Sequence, residues 1–307
     1  MKKVLFGKTG YEVSEIVLGC WGLGSHFFGP IAEKQVVDTV HAAIDNGINL
    51  IDTAPNYGDS EDQIGKAIKG IPRDKFYIAT KTGNVVMDCG VTIHLAEQSI
   101  RYQVENSLRR MGIDYIDLLQ VHWPDYNHSM PVAYAVINKL VEEGKIRKWG
   151  VCNHHPQEVL DAFDVGATMV QNNYSLTRRA VERDVFPIAD AAGMGTEAFG
   201  ILDGGFLTGK FTEPHHVEGS ERRSLFYTEL KAENWERGQK VLKNLKEVAD
   251  GRGVSMAQIA INWVLHNPHV QVALVGAKTP EQVISNIGAA SFTMTDEEYA
   301  KLNAVKY

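Results

Sequence analysis

Short apolar runs alternate along this chain with longer segments whose apolar residues recur every three or four positions. Ile16-Val17-Leu18 is the first run, and Glu33 to Asn46 follows with Val36, Val37, Val40, Ala43 and Ile44 at helical spacing, stopped by Gly47. The alternation predicts further strands over Asn49–Asp52, Phe76–Lys81, Tyr115–His122, Lys148–Cys152, Met169–Asn172, Gly195–Ala198 and Val270–Val275. Helices are predicted over Glu61–Ile68, Ile93–Met111, Pro131–Glu143, from Pro156, and over Arg183–Ala192. Gly204 to about Ser224 reads as irregular. Two amphipathic helices, Asn234–Arg252 and Ser255–Asn267, precede the eighth strand, and helices opening at Thr279 and Thr295 follow it. Box-like caps at Ser255/Gln258 and Thr279/Gln282 mark two of these starts, and Gly112 and Gly144 mark two ends.

Eight strand–helix units without a composition break or a Ser/Pro-rich linker predict an α/β fold, a closed (β/α)8 TIM barrel in one domain over residues 1–307. Residues 1–15 read as an N-terminal β-hairpin that plugs the end opposite the mouth, and residues 291–307 as a C-terminal helix. The opening Met1-Lys2-Lys3-Val4-Leu5-Phe6 is broken at once by Gly7-Lys8-Thr9-Gly10, which suits a hairpin better than a signal peptide. In such barrels the chemistry sits on the loops that follow the strand C-terminal ends.

Composition narrows the function classes. With 44% hydrophobic and 22% charged residues among 307, the chain can bury a large core without disulfides or metals. A net charge of −7 argues against nucleic acid as partner, and no apolar stretch is long enough to span a membrane. Cys20, Cys89 and Cys152 are odd in number, widely separated and without a CxxC pair, so a reducing compartment, the cytoplasm, is expected. His154-His155 and His215-His216 lack further ligands nearby, and no metal is expected. The glycine-rich run Gly22–Pro30 fails the GxGxxG test and reads as a barrel-mouth loop, while Met256 and Trp263 fall on an apolar helix face as core.

Four ionisable residues fall at or just beyond strand C-terminal ends: Asp52, Tyr57, Lys81 and His122. A phenol with a pKa of about 10 donates protons poorly near neutrality unless a cation stabilises its phenolate. Lys81 is the candidate cation, expected to lower the Tyr57 pKa, with Asp52 to hold it.

These residues and their surroundings resemble the aldo-keto reductase superfamily over nearly the whole chain, in particular the branch related to potassium-channel β subunits. The matching segments are DTAPNYGDSE, IATK, LLQVHWPD, KWGVCNHH and, towards the C-terminus, VGAKTPEQVISN. The resemblance implies an NADP(H)-dependent oxidoreductase with Asp52, Tyr57, Lys81 and His122 as catalytic tetrad. Tyr57 would be general acid or base, and His122 would hydrogen-bond the carbonyl oxygen. It also implies cofactor contacts at Cys152, Asn153 and Gln171 for the carboxamide and Phe199 for nicotinamide stacking. Leu202, Gly205, Lys210 and Arg222 would lie near the phosphates, and Gly276, Lys278, Gln282 and Asn286 near the adenosine end. A lysine beside a helix N-terminus suits a 2′-phosphate, so NADPH/NADP+ is expected over NADH. The chain departs from the family pattern at Phe199, where tyrosine or tryptophan is usual, at Gly200-Ile201 for Ser-Pro, and at Cys152 for serine.

Trp21, Phe27, Phe28, Trp123, Asp125 and Tyr126 are candidate substrate-pocket residues. With Asn56 and His128 they suit a small carbonyl compound or a polyol or sugar-like substrate. Two other functions fit the same residues: a non-catalytic NADPH-binding sensor or regulatory subunit, and a lyase that uses Lys81 as a Schiff base.

Overall fold

The computed structural model describes residues 1–88 and 90–305; Cys89, one of the three cysteines, lies outside them. Eight short runs of β-branched and aliphatic residues form the barrel: β1 (Ile16–Gly19), β2 (Leu50–Asp52), β3 (Tyr77–Thr82), β4 (Ile116–Val121), β5 (Ile146–Cys152), β6 (Met169–Asn173), β7 (Gly195–Phe199) and β8 (Val272–Gly276). They pair in parallel in sequence order, and β8 closes on β1 with Leu274 beside Val17. The expected (β/α)8 barrel is therefore the fold. Around it lie α1 (Glu33–Asp45), α2 (Ser60–Ala67), α3 (Glu97–Met111), α4 (Met130–Glu142), α5 (Pro156–Asp164) and α6 (Val185–Ala191). After β7 come both α7 (Ala232–Arg252) and α8 (Met256–His266), and after β8 come α9 (Pro280–Ile287) and α10 (Asp296–Asn303).

Strand residues alternate between helix-facing and barrel-facing sides, and the two sides carry different chemistry. The interior towards the strand N-terminal ends is apolar: Val17, Leu50, Ala79, Leu118, Met169 and Val272 pack with Phe6 of the N-terminal hairpin. That hairpin (Lys3–Leu5 with Glu12–Ser14) plugs this end, where the Tyr11 hydroxyl donates to Asp117 O and Gly7 N to Gln271 Oε1. Two residues further along, the same interior face carries Asp52, Lys81, Gln120 and Gln171, with Glu197 beside Gln171 in the β6/β7 register; all five are buried. The mouth is thus floored by a polar layer resting on an apolar one.

One element departs from expectation. A β-hairpin (Asn84–Met87 with Gly90–Ile93) follows β3, and the next helix begins at Glu97 rather than Ile93. Its β-branched residues Val85, Val86, Val91 and Thr92 pair across the ladder instead of facing a helical core. Trp263 is fully buried between the rings of Tyr174 and Tyr299, as its helical face predicts. Among the described residues no helix is long and apolar enough to cross a membrane.

Close approach of β5 to β6 requires Gly150, where an added Cβ would lie 2.5 Å from Met169 O and 2.4 Å from its Sδ. Gly150→Ala should lower unfolding stability by about 1–3 kcal/mol, the usual range for overpacking. A urea midpoint equal to that of the unchanged protein would contradict this packing.

Candidate active site

The polar layer is built around one ion pair. Lys81 Nζ lies 2.5 Å from Asp52 Oδ1 and donates to Thr53 O at 3.0 Å, with both side chains essentially sealed from solvent. Gln120 Nε2 (2.9 Å) and Gln171 Nε2 (3.1 Å) both donate to the other carboxylate oxygen, Oδ2. Burial lowers the Lys81 pKa, but Asp52 and, behind it, Tyr57 and Cys152 raise it above the ordinary lysine value. It is an ammonium.

Tyr57 reaches this ammonium from the loop after β2, its ring centroid 5.2 Å from Lys81 Nζ. Burial raises the phenol's pKa, Lys81 pulls it back down, and the net shift is upward. The loop after β1 presses on Tyr57 from above: Gly24 sits so close that a Cβ there would overlap Tyr57 O at 1.6 Å. Trp21, from the same loop, stacks on Tyr57 at 5.7 Å and on Phe27 at 4.7 Å, and meets Phe28 and Phe226 edge-on.

His122, just past β4, stands edge-on to Tyr57 with ring centroids 5.8 Å apart. Burial, with Lys81 adding to it, holds its pKa well below the usual histidine value, so the ring is neutral at physiological pH. Asn84 Nδ2 faces Nδ1 at 3.3 Å; as an amide N–H donates, the ring proton is assigned to Nε2. A neutral imidazole with an Nε2–H is a hydrogen-bond donor.

These groups open into a cavity of about 790 Å³, within the range of small-ligand sites. Asp52, Tyr57 and His122 border it, as does every position expected to touch a cofactor: Cys152, Asn153, Gln171, Phe199, Leu202, Gly205, Lys210, Arg222, Gly276, Lys278, Gln282 and Asn286. At one end Asn153 Nδ2 donates to His122 O and Cys152 Sγ, and Gln171 Nε2 to Asp52 and Glu197. Both amides have committed their nitrogens to the protein and retain their oxygens as acceptors. At the other end Lys210, Arg222, Arg223 and Lys278 converge. Burial, with Arg223 adding to it, depresses the pKa of both Lys210 and Lys278, a crowding of cations that an anion would relieve.

The mouth loops are tied over this cationic end. Arg222 N donates to Phe27 O, Gly29 N to Ser220 O, and Lys278 Nζ to Phe28 O. Arg223, rather than the more exposed Arg222, is the anchored arginine: it bridges Glu221, donates to Gly204 O and lies over the Phe28 ring. Of the expected substrate residues, Trp21, Phe27, Phe28 and Trp123 border the cavity. Asp125 and Tyr126 are not brought to it. Asp125 is buried, accepting from Leu95 N and bonded to His128, and Tyr126 is exposed with its hydroxyl on Glu158. Sequence reasoning passed over Gln120, Asn84, Arg223 and Glu197. Gln120 and Glu197 were detectable as polar residues two positions before His122 and Phe199, hence at the same parity along the chain.

The aldo/keto reductase family profile matches residues 15–306, and the chain belongs to this family. It is 35% identical to aldo-keto reductase YhdN of Bacillus subtilis over 99% of this chain and 93% of that protein. It is 31% identical to an NADH-specific methylglyoxal reductase of Escherichia coli over 97% and 96% of the two chains. Among solved structures, the glycerol dehydrogenase of Gluconobacter oxydans superposes with a TM-score of 0.86 at 33% identity, covering 96% of this chain and 92% of its own. The protein is thus an oxidoreductase of the aldo-keto reductase type, and the family uses nicotinamide cofactors on small carbonyl substrates.

The sealed ion pair makes a stability prediction. Lys81→Met leaves the Asp52 carboxylate buried without its cation and should cost about 3–5 kcal/mol, much of which Asp52→Asn in the same chain restores. Denaturant titration of the two variants checks this; an additive double variant would mean that the two side chains do not interact.

Proposed function

We propose that the protein is an NADP(H)-dependent reductase of small aldehydes or ketones, or a dehydrogenase of the corresponding alcohols, with Tyr57 as general acid and base. The observation that carries this reading is the buried Lys81 ammonium beside the Tyr57 ring, at the wall of a cavity whose far end is cationic. A bound nicotinamide supplies or accepts the hydride. Tyr57 gives its proton to the carbonyl oxygen as negative charge develops there, and Lys81 stabilises the phenolate left behind. His122 orients the same oxygen through Nε2–H. Asp52 holds Lys81 charged and in place. The raised pKa keeps Tyr57 protonated, ready for reduction; oxidation needs the phenolate and gains as pH rises.

The residues present fit the cofactor. A primary carboxamide offers N–H donors, and the oxygens of Gln171 and Asn153 are acceptors; Gln171 Oε1 has a second lone pair besides the one that faces the Cys152 thiol. The cations Lys210, Arg222, Arg223 and Lys278 match the charge of a dinucleotide. Lys278, one residue before the Thr279 cap of α9, is assigned to the 2′-phosphate, which favours NADP(H). The aromatic wall with Asn56 favours a short hydroxylated or dicarbonyl substrate, and the names of two relatives, a methylglyoxal reductase and a glycerol dehydrogenase, are of that kind. We read residues 1–307 as one domain acting in the cytoplasm, in keeping with the buried free thiols of Cys20 and Cys152. A Schiff base at Lys81 requires a neutral amine, and its ion pair with Asp52 speaks against one.

Tyr57→Phe should reduce turnover by at least about a thousandfold, within the span attributed to general acid catalysis, while cofactor binding stays near that of the unchanged protein. The alkaline rise in alcohol oxidation should vanish with it. Turnover surviving in this variant excludes Tyr57 as the acid, and tight NADPH binding with no turnover on any carbonyl by the unchanged protein supports a sensor instead. Lys278→Ala should raise KM for NADPH about tenfold and leave NADH nearly unaffected. Equal shifts for both would place Lys278 on the shared diphosphate.

A further inference from the structure

Glu197 is a buried acid that the reaction as described does not use. It lies mid-strand in β7, is 0% exposed, and stands beside Gln171 in the strand register. Its Oε2 accepts from Gln171 Nε2 at 2.8 Å, and the same nitrogen donates to Asp52 Oδ2 at 3.1 Å. Both amide hydrogens of Gln171 are therefore spent on carboxyl groups. That fixes the amide with Oε1 towards Cys152 Sγ, 3.3 Å away at the cavity wall. Without Glu197, one of those hydrogens would lack its acceptor, and the amide would be held by Asp52 alone.

The charges around Glu197 are few. Asp52 from β2 repels it, Lys81 from β3 attracts it, and the Cys152 thiol is the titratable group of β5. β8 meets it with Val272, and its own Oε1 has no partner. A second full negative charge in this setting is poorly compensated. Burial, and then Asp52, push its pKa up to about 8, with Gln171 and Lys81 opposing.

We propose that Glu197 is a positioning residue: through Gln171 it sets which side of the amide is offered to the nicotinamide carboxamide, and through its charge it separates oxidised from reduced cofactor. This rests on the nicotinamide reading given above. The oxidised ring is a cation and the reduced ring is neutral. When Glu197 loses its proton, the added negative charge favours the cation, so NADP+ binding tightens with pH while NADPH binding does not. By linkage, a bound NADP+ favours the ionised acid in turn.

The test is a fluorescence titration of NADP+ and NADPH below and above pH 8, on the unchanged protein, Glu197→Gln and Glu197→Leu. An infrared pH titration of the cofactor-free proteins accompanies it. In the unchanged protein the affinity ratio of NADP+ to NADPH should rise about fivefold across that pH, the scale of one screened charge interaction. Glu197→Gln, close to isosteric, should keep NADPH affinity and abolish the rise. Glu197→Leu should weaken both cofactors about fivefold through the less firmly held amide. Below pH 8 the protonated-carboxyl band should be stronger in the unchanged protein than in Glu197→Gln, since Asp203, whose pKa burial also raises, contributes equally to both. The same pH dependence of the ratio in both proteins, or an unaltered band, overturns the proposal even if Glu197→Leu does not fold. An unchanged protein that binds neither nucleotide overturns the nicotinamide reading itself, an outcome separate from any variant's behaviour.

Discussion

An ammonium and a carboxylate sealed inside a β-barrel are the constraint on which the rest of this structure depends. Removing Lys81 and Asp52 from water costs several kcal/mol per ion, and their mutual attraction repays that only when the remaining lone pairs and protons are satisfied. Here they are: Thr53 O takes a second Nζ hydrogen, and Gln120 and Gln171 both donate to Asp52 Oδ2. The partners come from β2, β4 and β6, so the network exists only once the barrel has closed. Its members hold one another rigid, which suits a centre that must place a phenol and an imidazole around one oxygen atom.

The apolar layer beneath completes the arrangement. Leu50, Ala79, Leu118 and Met169, capped by Phe6, keep water from entering the barrel from the hairpin end. In that dry environment each charge on the layer above acts at long reach. Lys81 depresses His122 and offsets part of the burial penalty on Tyr57, and Asp52 raises Glu197. The neutral imidazole and the protonated phenol follow from burial first, and the charged amine from Asp52 overcoming it.

At the mouth a different logic holds the loops. Arg178, following β6, bonds both Asp203 after β7 and Glu229 of the strap that carries Phe226 and Tyr227 into the aromatic wall. Asp203 also accepts from Thr177 and sits at positive φ, an uncommon backbone state for a residue with a side chain, kept in place by these bonds. The strap is then pinned to the loop after β1 through Phe27, Phe28 and Ser220. Three loops distant in sequence thereby form one roof over the cationic end of the cavity.

Periodicity alone carried the eight strands, most of the helices and the barrel, because strand and helix periods are written locally and eight repeats leave few ways to close a sheet. It also placed Asp52, Tyr57, Lys81 and His122 at strand ends, and motif resemblance placed the cofactor positions that border the cavity. It did not reveal the hairpin at Asn84–Ile93, whose β-branched residues sit where a helix start was expected. It placed Asp125 and Tyr126 at the pocket, whereas one ties the start of α3 and the other reaches Glu158. It was silent on Gln120, Glu197 and Arg223 and on the pKa direction at His122, and it expected Lys81 to make the Tyr57 phenol more acidic, whereas burial outweighs Lys81 and the net shift is upward. Which strand ends carry chemistry is a property of the chain, since each residue's parity along its strand decides whether it faces inward. Which charges meet, and how strongly, was decided only by closure of the barrel, because electrostatic reach depends on burial and on distances between strands far apart in sequence.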